Sequence, residues 1–387
     1  MTKIMKKTIK AMSLFANVGI AETYLKNAGI DVVIANEIEP DRVKFYKHLY
    51  PDVDAIVGDI TTDDIQKELI SKALHEKVEL IIATPPCQGM STAGKKENDD
   101  PRNSLICHAV SIIKAVKPKY VFLENVPEQL ITSINYHGNM ILIPDYLNEE
   151  LQAIYDIEQL TVNAADYGVP QSRDRAIFLM TAKGNKQQWH FPQKISKKKT
   201  MFDAIGDLPI LDPLVNDISY EEQLTLFPYY EERLKVAQQI SKWHTPPSHV
   251  YRQVYAMMHT PTGKSAFENV DEFKPKKKDG QIVRGYKNTY KRQEWDKPAF
   301  TVTMFNRTIG SQNNVHPGRL IGKDESGNDI YSDPRVLTIF ELMRVMSLPD
   351  DWDIPDGYSD NFIRSVIGEG IPPLLAFKIM EVIPDEA

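Results

Sequence analysis

Cysteine is nearly absent: Cys87 and Cys107 are the only two in a chain of 387 residues. Two thiols cannot build a disulfide framework, and these lack metal-ligand spacing, so if one matters it matters as a thiol and no metal is expected. Long apolar runs are missing too; no stretch approaches the ~18 residues that a membrane helix needs. Lys3, Lys6, Lys7 and Lys10 precede only a short apolar run, which argues against a secretory signal and for the cytoplasm. There is no internal repeat, no low-complexity tract and no glycine-rich pyrophosphate turn. What remains, 42% hydrophobic and 26% charged with 19 Gly and 25 Pro, is ordinary globular usage. The length exceeds what one core spans, so two domains are expected.

Apolar runs at Ile9 to Phe15, Val32 to Ala35, Val78 to Thr84, Tyr120 to Leu123 and Ala176 to Met180 read as buried strands. Between them, Ala21 to Ala28, Asp41 to Leu49, Asp63 to Leu74 and Leu105 to Val116 carry apolar residues at helical spacing. This alternation predicts an α/β fold, a doubly wound parallel sheet covered on both faces. From residue 185 to 333 the alternation gives way to Lys197-Lys198-Lys199, Pro246-Pro247 and scattered aromatics, as in a smaller irregular domain inserted late in the first. From Pro334 helical patterns return, at Val336 to Met346 and Pro372 to Val382, so residues 334–387 complete the domain begun by 1–184.

The net charge of −7 argues against a nucleic-acid partner only if it is spread evenly. Between Lys274 and Lys297 stand nine basic residues and three acidic ones, a net of +6 in one segment.

In a doubly wound sheet the residues just after each strand face the ligand edge. After the first strand comes Phe15 and then Gly19, which by itself fits an ordinary tight turn. The second ends at Asn36-Glu37, 22 residues on, close to the ~20-residue spacing at which an acid meets a ribose hydroxyl. A short third strand closes with Gly58-Asp59-Ile60, where a carboxylate could meet an exocyclic amine; each acid taken singly also fits a helix cap. After the next strand, Pro85 and Pro86 fix the backbone and would present Cys87 at the edge, where a nucleophile must sit. A neighbouring strand runs into Glu124-Asn125. A half-buried carboxyl there has its pKa raised by desolvation and suits proton donation. Gln171, Arg173 and Arg175 precede the last strand, and the alternation of the two arginines points both to one face as forked donors.

In this order the segments resemble the DNA (cytosine-5) methyltransferases. They are Ser13-Leu14-Phe15 with Gly19, Asn36-Glu37, Gly58-Asp59-Ile60, Pro85-Pro86-Cys87-Gln88, Leu123-Glu124-Asn125-Val126 and Gln171-Ser172-Arg173-Asp174-Arg175. Pro298-Ala299-Phe300-Thr301-Val302, Arg335-Val336-Leu337-Thr338 leading to Met346-Ser347-Leu348-Pro349-Asp350, and Ile367 to Pro373 follow. The resemblance covers nearly the whole chain and is weakest in the second domain.

It implies a Rossmann-like fold dependent on S-adenosylmethionine, with residues 185–333 as a target recognition domain. Cys87 would attack C6 of a flipped cytosine, Glu124 would handle the N3 proton, Asn125 would orient that acid, and Arg173 and Arg175 would position the base. The cofactor pocket would comprise Phe15, Gly19, Glu37, Asp59, Ile60, Pro86, Leu105 and Glu369. Gln88, Ser91, Thr301, Arg307, Lys291 and Arg292 would meet double-stranded DNA. A monomer is expected, paired in function with a restriction endonuclease of the same specificity and found at the nucleoid when bound to DNA. Two motifs depart from the family: in the first, Asn17 and Ile20 stand where glycines are usual, and in the last, Glu369 stands where asparagine is usual. RNA methylation by a related enzyme and a non-catalytic DNA-binding relative are the rival readings. The first is disfavoured by the large lysine-rich second domain, the second by the presence of both Cys87 and Glu124. A nicotinamide oxidoreductase fits the sheet but not the missing glycine-rich turn.

Overall fold

The computed structural model describes residues 8–86 and 101–384. Seven strands form the main sheet: β1 (Ile9–Leu14), β2 (Ile30–Glu37), β3 (Asp54–Val57), β4 (Leu80–Ala83), β5 (Tyr120–Asn125), then β8 (Tyr155–Asn163) and β9 (Asp174–Ala182). A small hairpin of β6 (Ser133–Tyr136) and β7 (Asn139–Leu142) intervenes. The sheet order is β3-β2-β1-β4-β5-β9-β8, with β1 to β5 parallel and β9 antiparallel to both neighbours. The sheet is therefore mixed and not wholly parallel. β8 escapes a sequence reading because it is an edge strand with Glu158, Gln159, Leu160 and Thr161 facing outward at its centre.

The near-continuous apolar strands follow from burial on both faces. Met12, Leu14, Ile81, Ala83, Val121 and Leu123 enter one core, beneath α2 (Asp63–Glu76), α3 (Leu105–Val116) and α4 (Ile143–Leu151). Their alternates Ile9, Ala11, Leu80, Ile82, Tyr120 and Phe122 enter the other. That second face is covered by the 3-10 segment Ala21–Ala28 and by the last helix, Pro373–Met380, which pack on each other. Trp189 is buried in the same layer and donates its indole N–H to Ile379 O at 3.0 Å. Residues just past 184 thus still pack on the first unit.

α1 (Pro40–Leu49) crosses the edge near β2 and β3. Beyond β9, the chain adds α5 (Met201–Ile205), α6 (Tyr220–Leu226), α7 (Tyr230–Ile240) and α8 (Tyr251–Met258), helices that charge runs and prolines hid in the sequence. A separate core of Val215, Phe227, Tyr230, Val254, Met257, Tyr290, Ile309, Val315 and Val336 holds this second unit. α9 (Ile339–Val345) and α10 (Asp360–Glu369) then return to the first, packing with Val18, Ile20, Phe45, Ala299 and Val302. The terminal helix is α11 (Pro373–Met380).

A buried ionic cluster marks the junction. Arg335 donates to Asp333 at 2.8 Å and to both oxygens of Glu341 at 2.8 and 2.9 Å, and its Nε reaches Leu211 O. Glu341 also closes a capping box with Thr338 at the start of α9. Fully buried charges persist only when paired and hydrogen-bonded in this way, and removing one partner costs about 3 to 5 kcal/mol. Beside the cluster, His316 Nδ1 accepts the Gly318 N–H and His249 Nε2 accepts the Val336 N–H. Burial pushes His316 down to about 4 and His249 down to about 3, so both fold neutral. Below an unfolded pKa of about 6.5 the unfolded chain binds protons that the folded one excludes, so stability falls as pH drops from about 6.5 toward 4. By pH 5 each histidine is expected to remove about 2 kcal/mol. Urea unfolding at pH 7.5 and pH 5 measures this, and His249→Gln, which keeps an acceptor, is expected to flatten the dependence.

Candidate active site

Parallel strands deliver their carboxyl ends to one edge, and the expected cofactor residues lie there. Phe15 follows β1, Glu37 ends β2, Asp59 and Ile60 follow β3, Pro86 follows β4, and Leu105 opens α3 against the core. The turn after β1 is built from unusual backbone. Phe15 and Asn17 both take left-handed conformations, at φ 59° and 50°. Asparagine tolerates that region better than most side chains, which explains how Asn17 replaces the usual glycine. Its N–H donates to Glu37 Oε2 at 2.9 Å, and its side-chain amide reaches Val366 O in α10 at 3.0 Å. Ile20 is accommodated by Gly370, since a Cβ on that glycine would lie 2.8 Å from the Ile20 Cδ1. Gly19, at φ 81°, is required outright: a Cβ would sit 2.3 Å from the Tyr50 ring, whose hydroxyl donates to Gly19 O.

Glu37 is buried, with Oε1 accepting the N–H groups of Ile38 and Glu39. Asp59 Oδ1 accepts the Thr61 N–H. Glu369, at the end of α10, pairs with Arg42 of α1 at 2.7 Å. Its other oxygen and the Asn17 Oδ1 are buried with no hydrogen-bond partner among the described residues. Three residues here escape a sequence reading. Ile38, 55% exposed directly after Glu37, shows as an apolar residue next to a strand-end acid. Arg42 carries no sequence signal because its partner lies more than 300 residues away. Glu22 lies buried among apolar neighbours of the Ala21–Ala28 segment, where burial pushes its carboxyl up to about 7 against a Ser13 hydrogen bond. An acid on the inner face of an amphipathic stretch is the sign that marks it.

At the end of β5, Glu124 is buried and its Oε1 lies 2.7 Å from Arg175 Nε of β9. Burial raises the carboxyl above the ordinary carboxylate range, although Arg175 and, more weakly, Arg173 favour its charged form. The group is thus set to hold a proton while keeping a cation beside it. Asn125 does not orient this acid as the sequence suggested. Successive strand residues face opposite ways, and the Asn125 amide donates to Pro85 O at 3.0 Å while its oxygen accepts the Val126 N–H. It anchors the two-proline turn instead.

Arg173 also departs from the expectation of two like arginines. It precedes β9 and is buried, donating to Val302 O at 2.8 Å, Gly368 O at 2.9 Å and Gly370 O at 3.1 Å. Arg292, expected on DNA, is 0% exposed and donates to His316 O, Asp333 O and Met257 O, so it is a core brace. The charge that suggested DNA contact is spent on backbone carbonyls. Lys291 lies over the Phe300 ring at 5.0 Å, and Arg307 pairs with Asp360 at 2.9 Å while still partly exposed. Thr301 is exposed and donates to Ser172 O at 2.8 Å. Cys87, Gln88 and Ser91 lie outside the described residues.

This edge, with a buried acid and its paired arginine at the strand ends of the main sheet, is where a Rossmann-like fold presents its ligand site. Residues 9–385 match the family of C-5 cytosine-specific DNA methylases. The chain is 40% identical over 387 residues to the type II methyltransferase M1.HgaI of Avibacterium volantium, covering 99% of this chain and 100% of the relative. It is 28% identical to M.XorII of Xanthomonas oryzae pv. oryzae, covering 94% and 82%. Among solved structures the Entamoeba histolytica methyltransferase EhMeth superposes with a TM-score of 0.60 at 15% identity, over 97% of this chain and 98% of that one, a likeness of fold. The chain belongs to the C-5 cytosine-specific DNA methylases, and it is a DNA cytosine methyltransferase.

Arg175 is the cation nearest the buried acid, so Arg175→Met is expected to raise the Glu124 pKa by roughly 1 to 3 units. The alkaline limb of the pH profile of methyl transfer should move up by the same amount. A limb that stays in place would show that Arg175 does not act on Glu124.

Proposed function

We propose that the protein methylates C5 of one cytosine in a short duplex DNA sequence, with S-adenosylmethionine as methyl donor, and so protects DNA from a restriction endonuclease of the same specificity. The observation that carries this reading is Glu124, a buried carboxyl raised in pKa and paired with Arg175, one strand over from the two-proline turn that leads to Cys87. The target base must leave the stack, because C5 and C6 cannot be approached from above while it is stacked.

The chemistry divides among the chain's residues. The Cys87 thiolate adds to C6, and the displaced electron pair moves into the ring toward C5. Glu124 gives its proton to N3 as that charge develops, and burial, which raises its pKa, favours the protonated form this needs. Arg175 holds the carboxyl in place and supplies positive charge beside the base. Once C5 carries the methyl group that bound S-adenosylmethionine would supply, loss of the C5 proton to water restores the C5–C6 double bond and expels the Cys87 thiolate, while the N3 proton returns to Glu124.

The strand-end edge fits S-adenosylmethionine, which when bound supplies the methyl group. Glu37 would take the ribose hydroxyls, Phe15 and Ile38 the faces of the adenine, and Asp59 with Ile60 its amino edge, next to Pro86 and Leu105. The buried, unpartnered oxygens of Asn17 and Glu369 suit the ammonium of the methionine end. Gly19 keeps the turn in shape by leaving room for the Tyr50 ring.

We assign DNA recognition to the unit with its own core, Leu214 to Val336, within the span 185–333 read from the sequence. Its bridge between Lys276 and Ile282 makes a hairpin whose tip carries exposed Lys277 and Lys278, with exposed Arg284, Tyr286 and Lys287 just beyond. Lysines and arginines at such a tip suit phosphate contacts. The proposed setting is a monomer in the cytoplasm.

Base-resolution mapping of 5-methylcytosine in DNA from cells expressing the protein, beside Cys87→Ser, tests the reading. One short methylated sequence, absent in the variant, is the expected result; none in either sinks it. Glu37→Ala should weaken binding of S-adenosylhomocysteine at least tenfold, since hydrogen bonds to a charged group contribute about 1.5 to 3 kcal/mol. Titration calorimetry reads this, and unchanged affinity would remove Glu37 from the pocket.

A further inference from the structure

Phe305 is 75% exposed, an unusual position for a large apolar ring. Single exposed apolar residues need no explanation when they sit on pliable loops. The turn that carries this one is fixed from three sides. Asn306, directly after it, is buried and donates to Thr303 O at 2.7 Å. Its oxygen accepts from the buried Arg364 of α10 at 3.0 Å, and its own carbonyl accepts from Asn314 at 3.0 Å. Asn314 also donates to Thr308 O, closing the turn from the far side. Four polar contacts are thus devoted to a backbone that holds an aromatic ring out in water.

The place where the ring emerges is equally specific. Thr301 is bonded to Ser172, Val302 O receives Arg173, and the Thr303 carbonyl lies against Gly368. Phe305 therefore stands at the rim where the second unit meets the strand that delivers Arg175 to Glu124. Its flanks are polar: Arg307, two residues on, is partly exposed and paired with Asp360, and exposed Thr303 stands two residues before. A rigid, exposed ring on a polar rim matches the chemistry of nucleic-acid stacks, where aromatic faces replace base stacking and apolar wedges open base steps.

We propose that Phe305 is the positioning residue that enters the base stack at the target step and occupies space vacated by the flipped cytosine. The ring covers the exposed faces of the neighbouring bases, so the flipped state no longer leaves an open gap. This inference rests on the function proposed above and assigns one side chain of that site.

The test uses duplexes carrying the mapped sequence with 2-aminopurine at the target position, whose fluorescence rises on unstacking. A parallel set measures methyl transfer with the target cytosine either paired normally or set opposite an abasic site, where leaving the stack is already cheap. Phe305→Ala should lower the fluorescence rise and reduce kcat at least tenfold on the paired duplex. It should lose less than threefold on the abasic one, and Phe305→Trp should restore most of the activity on the paired duplex. An equal loss on both duplexes, or none on either, overturns the proposal. If the wild-type protein transfers no methyl group to either duplex, the functional reading fails and not the role of Phe305.

Discussion

One buried guanidinium ties the working parts of this molecule together. Arg173 lies just before β9, and its donors reach the carbonyls of Val302, Gly368 and Gly370. Val302 packs with α9 and α10, Gly368 and Gly370 end α10, and two residues further along Arg175 meets Glu124. A charge withdrawn from water is tolerated only when its donors are met, and these carbonyl oxygens take up donors of both terminal nitrogens. The acid's partner, the inner rim of the second unit and the helix that borders the strand-end edge thus share one fixed origin. Gln171 acts in the same sense, accepting the Val302 N–H and resting its amide on Met346.

The strands and helices of the first unit were largely legible because both faces of the sheet are buried, which writes apolar runs into the chain. The site was legible where chemistry sits at strand ends, as with Glu37, Asp59 and Glu124. What could not be read has specific causes. The antiparallel direction of β9 leaves no local signature, since direction depends on the path taken between strands. β8 is polar at its centre because it is an edge. Asn125 was given the wrong partner because motif spacing records which residues recur together and not which way each side chain points. Arg292 is the plainest case, counted as a surface charge in a basic segment yet wholly enclosed.

The departures from the family turn out to be matched pairs. Asn17 adopts the left-handed backbone its position demands and spends its side chain on Val366 in α10. Ile20 fills space that Gly370 leaves open. Glu369 finds Arg42. In each case a change at the first turn or the last helix is answered by a residue far away in sequence, so the edge keeps its shape while its chemistry shifts toward more oxygen acceptors. A single-site comparison would count three losses where the folded chain has three exchanges.

The packing of α11 against the Ala21–Ala28 segment has a consequence for biosynthesis. The strands that open the chain need residues 373 to 380 to cover one face of their sheet. While the polypeptide is still being made, that face, with Leu80, Ile82, Tyr120 and Phe122, has only the partial cover of Ala21–Ala28 and Trp189, and the whole second unit must emerge before the rest arrives. A ribosome that stalls anywhere beyond β5 releases a sticky fragment, a form that chaperones bind and proteases clear. The last helix thereby completes the cover of a sheet whose strands are laid down far earlier in the chain.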